Sequence, residues 1–318
     1  MKILEHDELP SNMEADLQLL RLSVGWVPRD FARMEEARKA GYPSADYLGL
    51  YAVEDGRILS TARVVRVPYT FPDGHKESVS GILSVITRED ARGRGLATKL
   101  LTEIQDRERK KGIKLCLLWT DRSISAHGLY ESMGYKDVYA PDFATKRAGK
   151  KTASPKGYEL RKAEEGDLPE MVAIYEEANR MRMGFTPRPR GLLPSIVKFG
   201  LVGTGSFRMI IKGGRPVGYL DISESSAWVK VSEVAMSEGS ASELVPLVEA
   251  ISTGKWVTFW NTFVRDSKAT LRSRGYVTSN FDNHILMGLR LDRPRAKDLP
   301  AFMGTSDDRF VCQVIDYF

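Results

Sequence analysis

Glu89-Asp-Ala-Arg-Gly-Arg-Gly-Leu-Ala-Thr98 is the stretch on which the reading of this chain turns. A strand-like run, Gly81-Ile-Leu-Ser-Val-Ile-Thr87, leads into it. Beyond it Leu96, Leu100, Leu101 and Ile104 fall on one face at near-helical spacing. The Gly-rich turn therefore lies where a strand hands over to a helix. There the free backbone N–H groups and the positive end of the helix dipole point outward, which suits a pyrophosphate. Gly93 and Gly95 have no side chain, so the backbone can approach a phosphate closely. No Gly-Lys-Ser/Thr follows, which excludes a Walker A loop, and the spacing is not the Gly-x-Gly-x-x-Gly of dinucleotide sites.

The spacing Arg92-x-x-Gly95-x-Ala97 resembles the acetyl-CoA signature of the GCN5-related N-acetyltransferases (GNAT), [Gln/Arg]-x-x-Gly-x-[Gly/Ala]. A second stretch, His127-Gly-Leu-Tyr130-Glu-Ser-Met-Gly134-Tyr135, resembles the Leu-Tyr-Glu-x-x-Gly-Phe/Tyr motif of the same superfamily. It follows the turn after one intervening strand, Ile113–Thr120, in the superfamily's order. Two motifs in register carry far more weight than one. The resemblance implies an α/β (α+β) fold with a mixed central sheet flanked by helices. It implies that the backbone of Val85, Ile86 and Thr87 pairs with the pantetheine arm of acetyl-CoA. Arg92, Gly93, Arg94, Gly95, Leu96, Ala97 and Thr98 would hold the pyrophosphate, with Arg94 and Lys99 as charge partners. Tyr130 falls on the superfamily tyrosine that protonates the CoA thiolate. A phenol of pKa near 10 is protonated at neutral pH and can donate to a developing thiolate.

Along the first half, a short strand precedes an apolar cluster, Leu17, Leu19, Leu20 and Leu22, and a second helix runs from Pro28 to Lys39. Tyr47–Val53 and Ile58–Val65 read as strands joined at Asp55-Gly56, a strong hairpin signal. Phe71-Pro-Asp-Gly74 is a further turn. Lys146, Arg147, Lys150, Lys151 and Lys156 read as a solvated basic linker ahead of Pro155 and Gly157. The second half repeats the order in weaker form. Strands are expected at Tyr158–Ala163, Phe207–Ile211, Val217–Ile222, Trp228–Met236, Trp256–Phe263 and His284–Leu291. Helices are expected from Asp167, at Ser242–Ile251 and at Lys268–Ser273. This predicts tandem acyltransferase-type domains at 1–150 and 157–291 with a tail at 292–318. In place of the Gly-rich turn the second domain carries Ser237-Glu-Gly-Ser-Ala-Ser242, where Glu238 would repel a phosphate. It is expected to be degenerate and not to bind CoA.

A tandem chain ending in an aromatic residue also resembles the Eis-type N-acetyltransferases, in which the terminal carboxylate enters the first domain's site as base. Carried over, that role falls on Phe318. The resemblance is partial, because residues 292–318 are too few for the third domain that Eis chains carry. His127 and Ser123 are rival polar groups. Trp26, Phe31 and Tyr47, with Asp30 and Glu35, are candidates for an acceptor pocket.

Composition bounds the rest. The 318 residues suffice for two domains, and 42% hydrophobic with 28% charged content describes an ordinary soluble globular protein. A net charge of +5 suits a polyphosphate co-substrate and is too evenly spread to argue for nucleic acid. No apolar run is long enough to span a membrane, and no signal core opens the chain, so a cytoplasmic setting is expected. Cys116 and Cys312 give neither a disulfide framework nor a metal site, and Cys116 reads as a core thiol. The expectation is an acetyl-CoA-dependent N-acetyltransferase acting on a small-molecule amine by direct transfer, without a metal. A protein or peptide N-acetyltransferase and a catalytically silent acetyl-CoA-binding regulator stay open as alternatives, as does homo-oligomerisation.

Overall fold

A computed structural model describes residues 1–25, 47–149, 152–188, 191, 193–194, 197, 204–280, 283–293 and 298–312. In the first half the elements are β1 (Lys2–Glu5), α1 (Glu14–Leu22), β2 (Tyr47–Glu54), β3 (Arg57–Thr70), β4 (Lys76–Thr87), α2 (Leu96–Lys110), β5 (Leu115–Asp121), α3 (Ser125–Ser132), β6 (Lys136–Tyr139) and β7 (Asp142–Arg147). The second half continues with β8 (Tyr158–Lys162), α4 (Leu168–Asn179), β9 (Met183–Gly184), β10 (Phe207–Lys212), β11 (Arg215–Glu224), β12 (Trp228–Met236) and α5 (Ala241–Ile251). After these come β13 (Trp256–Trp260), α6 (Asn261–Asp266), α7 (Lys268–Ser273), β14 (Val277–Asn280), β15 (His284–Arg290), α8 (Leu299–Met303) and β16 (Phe310–Val311).

Local chemistry sets many of these boundaries. Asp55 and Gly56 both take positive φ, 50° and 73°, as a two-residue hairpin between β2 and β3 requires. The amide of Gly74 donates to the carbonyl of Phe71 at 2.9 Å, closing the predicted turn between β3 and β4. The run expected as one strand from Trp256 to Phe263 is split. Asn261 enters the left-handed region at φ 54° and α6 begins there, a conformation that Asn tolerates better than most residues. The helix expected from Pro28 to Lys39 lies outside the described residues.

The strands form two mixed sheets. The first has the order β1-β2-β3-β4-β5-β15-β6, with β9 attached to β3 and β16 to β9. The second has the order β14-β7-β13-β12-β11-β10-β8. The two halves thus exchange a strand. β7, from the first half, lies antiparallel between β13 and β14, and β15, from the second half, lies antiparallel between β5 and β6. The sheets therefore do not divide the chain at 150–157. Ala140-Pro141, which joins β6 to β7, lacks the positive-φ residues of a tight hairpin, and the chain crosses to the other sheet instead.

The basic-linker expectation fails at Lys146 and Arg147, which are part of β7. The Lys146 ammonium lies 3.0 Å from the buried Glu249 carboxylate, and Arg147 donates to the carbonyl of Gly254. The carboxylate in reach makes the half-buried Lys146 compatible with a sheet position, and Arg147 keeps its side chain exposed.

On one face of the first sheet α2 buries Leu96, Leu100, Leu101 and Ile104 against Val64, Ile82, Cys116 and Leu118. Each fully buried leucine of this set is worth about 1.5–3 kcal/mol. Of the predicted leucine cluster on α1, Leu17 and Leu20 are buried with Tyr51, Ile58 and Ile86, while Leu19 and Leu22 face solvent. The lower part of the other face, around Tyr69, Leu117 and Leu286, is covered by Phe185, by Leu299 and Met303 of α8, and by Phe310 of β16. The described part of the tail is therefore docked on the first sheet. Among the described residues no helix is long and apolar enough to cross a membrane.

Candidate active site

β4 and β5 run parallel and pair at Ser80↔Cys116, Gly81↔Leu117 and Ile82↔Leu118. There the pairing stops, although β4 continues to Thr87 and β5 to Asp121. At the same level β4 is bulged against β3, between the pairs Arg63↔Leu83 and Thr61↔Ile86. Within the bulge Ser84 has φ 55°, an uncommon conformation for a residue with a side chain. The bulge and the lost pairing open a gap in the middle of the sheet. Ser84 carried no signal in the sequence, because its conformation is imposed by the register on either side.

The predicted pantetheine residues line the β4 side of this gap. Val85 packs partly buried against the α2 core. The Ile86 carbonyl accepts from Ser60 Oγ at 3.0 Å, so that group is turned to β3, and its side chain is buried beneath α1. Thr87 Oγ1 lies 2.8 Å from the same hydroxyl.

Beyond Thr87 a 3-10 turn, Glu89–Ala91, and then the Gly-rich turn lead into α2. Gly93 and Gly95 have φ 76° and 72°, and Gly95 is the residue that caps the helix. No side chain caps that helix start, and no acidic residue stands in its first turn. The first N–H groups of α2 are thus left for an anion, in the field of the helix dipole. Arg92, Thr98 and Lys99 are exposed around them, while Leu96 is buried and anchors the turn to the core. Arg94 is engaged elsewhere: its guanidinium contacts the Glu54 carboxylate at 2.9 and 3.0 Å and holds that carboxyl below its usual range. Arg88 fixes the approach to the turn by donating to the carbonyl of Ile58 and pairing with Asp16 of α1.

Tyr130 lies on α3, 6% exposed, in the core shared with α2. Its ring meets Tyr135 edge-on at 5.9 Å. Burial pushes its phenol up to about 12, which keeps the proton on the oxygen at neutral pH. Cys116 is fully buried, its thiol likewise pushed up to about 12 by burial, and is not a nucleophile. His127 is a clamp between α3 and β6, with Nε2 3.0 Å from Asp137, and Ser123 is exposed. Trp26, Asp30, Phe31, Glu35 and Phe318 lie outside the described residues, and Tyr47 opens β2.

Residues 10–138 match the acetyltransferase (GNAT) domain family. This part of the chain is similar to GNAT acetyltransferase domains. Solved structures share the fold over both halves. A probable N-acyltransferase from Enterococcus faecalis superposes with a TM-score of 0.68 at 12% identity, over 92% of this chain and 73% of that one. Eis1 from Mycobacterium abscessus gives 0.60 at 16% identity, over 90% and 73%. A tandem GNAT protein from the clavulanic acid biosynthesis pathway gives 0.58 at 12% identity, over 91% of this chain and 99% of that one. No curated protein matches the chain in sequence.

The second half repeats much of the strand and helix order of the first, and the corresponding places are filled. The start of α5 is capped by Ser240, and Glu243 accepts from the Ser240 amide at 3.0 Å in a reciprocal capping box. An anion of the chain's own already occupies this helix start. The repelling residue is thus Glu243, whereas Glu238 is turned to Lys212. β12 and β13 pair in parallel from Trp228↔Trp256 to Val231↔Phe259 and then separate, as β4 and β5 do. Beyond that point the buried Glu233 accepts from Tyr219 at 2.5 Å and from both arms of Arg188 at 2.8 Å. Arg188 in turn lies 3.8 Å from the centre of the Tyr175 ring. An ion pair and two phenols fill this region of the second sheet.

Proposed function

We propose that the GNAT domain transfers an acetyl group from acetyl-CoA to an amine of a small molecule. The observation that carries this reading is the pairing of a split parallel strand pair with the helix start that follows it, which has no side-chain cap and no acidic residue in its first turn. The N–H groups at Gly93–Thr98 suit a diphosphate, and exposed Arg92 and Lys99 supply positive charge beside them. The backbone of Val85 and Thr87 offers the thioester arm a strand to run along inside the gap. Tyr130 donates its proton to the departing thiolate, a role that a buried and fully protonated phenol fills well. Among the described residues no group of side chains has the composition of a metal site.

Calorimetry with acetyl-CoA tests the reading. Binding by the wild-type chain, lost in Gly95→Glu, is expected. Absence of binding, or undiminished binding by that variant, would sink it.

A further inference from the structure

The exchanged strand brings a side chain of the second half against β5, the strand that borders the gap in the first sheet. His284 opens β15 and lies directly across from Asp121, the last residue of β5. Its Nδ1 is 3.0 Å from Asp121 Oδ1. Its ring stacks on Trp119, the first β5 residue past the end of the β4 pairing, with centroids 5.1 Å apart and planes at 10°. The side chain keeps 31% of its surface exposed.

Side chains alternate across a strand, which decides the face. Leu117 packs in the core of Tyr69, and Leu118 packs in the core of Tyr130. Trp119 and Asp121 share the face of Leu117, and His284, opposite Asp121, joins them. Tyr130 and His284 thus stand on opposite faces of one sheet, and β5, which borders the gap, carries the Trp119 and Asp121 that His284 contacts. Transfer through such a gap separates the two proton movements: the amine loses its proton on one face and the thiolate gains one on the other.

We propose that His284, oriented by Asp121, is the general base for the acceptor amine. This rests on the acetyltransferase reading above. The amine nitrogen bonds to the acetyl carbon, the carbon–sulfur bond breaks, the amine's proton passes to His284 Nε2 and the sulfur takes the Tyr130 proton. Solvent then removes the proton from the imidazole and returns one to the phenol. Asp121 holds Nδ1 as the protonated nitrogen and stabilises the imidazolium, so it is a positioning residue. No single half of the chain then carries the complete site, because acid and base come from opposite sides of the strand exchange.

The test uses the full chain with acetyl-CoA and four acceptors, spermidine, kanamycin, lysine and a peptide with a free N-terminus, read by thiol release. His284→Ala and His284→Asn are both made, because Asn keeps a donor for Asp121 without a base. Both are expected to lower kcat about 10²-fold or more, with acetyl-CoA affinity and melting temperature unchanged. Imidazole in the buffer is expected to restore part of the His284→Ala rate. Near wild-type kcat in either folded variant overturns the proposal, as does a loss carried wholly by weaker acetyl-CoA binding. If the Ala variant fails to fold, the Asn variant decides. Acetyl-CoA binding by the wild type without transfer to any of the four amines overturns the base role and leaves the co-substrate site standing. Absence of acetyl-CoA binding overturns the reading beneath it.

Discussion

Tyr130 and Leu271 hold equivalent places in the two halves. The carbonyl of Tyr130 accepts the amide N–H of Tyr135 at 3.0 Å, and the carbonyl of Leu271 accepts that of Tyr276 at 3.0 Å. In each case the residue sits on the short helix before a Gly-Tyr turn, Gly134-Tyr135 and Gly275-Tyr276. Leu271 is fully buried and has no proton to give. Together with the capped start of α5 and the ion pair at Glu233, this predicts a single acetyl-CoA per chain. Calorimetry is expected to give a stoichiometry of one, and Glu243→Gln is expected not to add a second site. A second equivalent bound at comparable affinity would contradict the account of the second half.

Tyr130→Phe is expected to lower kcat about 10²- to 10⁴-fold while acetyl-CoA affinity stays the same. Loss of binding instead would mean that the ring acts by packing. The pH dependence follows from its burial. The folded chain holds the phenol's proton up to about pH 12, whereas the unfolded chain releases it near pH 10. Its contribution to stability is full below about pH 10 and is lost as pH rises through about 12. Thermal melts above about pH 10 are therefore expected to fall less steeply for Tyr130→Phe than for the wild type.

At position 95 the left-handed backbone and the open helix start act together. A glutamate there strains the backbone by about 1–2 kcal/mol and places a negative charge at the position proposed for the diphosphate. Acetyl-CoA affinity is expected to fall at least tenfold, which corresponds to about 1.4 kcal/mol. Gly95→Ala shares the backbone strain but not the charge, so calorimetry on the pair separates the two effects.

Glu108, 1% exposed near the end of α2, accepts from Ser80 at 2.5 Å and from Arg66 at 3.1 Å. It ties the helix that begins at the Gly-rich turn to β3 and β4. Glu108→Ala leaves Arg66 without its carboxylate in a largely buried site, and a loss of about 3–5 kcal/mol is expected in urea unfolding. Arg66→Met with Glu108→Leu is expected to recover much of that loss, since apolar replacement of both partners removes the uncompensated charge. No recovery would show that the pair carries specificity that packing cannot replace.

What the sequence determined by itself was local. Asp55-Gly56 made the hairpin, because two adjacent residues tolerant of positive φ are a property of the dipeptide. The Arg-Gly turn and the Gly134-Tyr135 turn are equally short-range, and so the strand–turn–helix junction and the short helix that carries Tyr130 were legible. What tertiary structure decided was which strands become neighbours. The apolar run of β15 fits either sheet by pattern, β7 with its Lys146-Arg147 end carries little strand signal at all, and only three-dimensional pairing sends each to the other half. Lys146 consequently enters a sheet once Glu249 is within reach, and Ser84 takes a left-handed conformation because the pairs on both sides of it are out of step. His284 meets Asp121 for the same reason: their contact spans the two halves of the chain, and nothing within hydrogen-bonding range along the sequence encodes it.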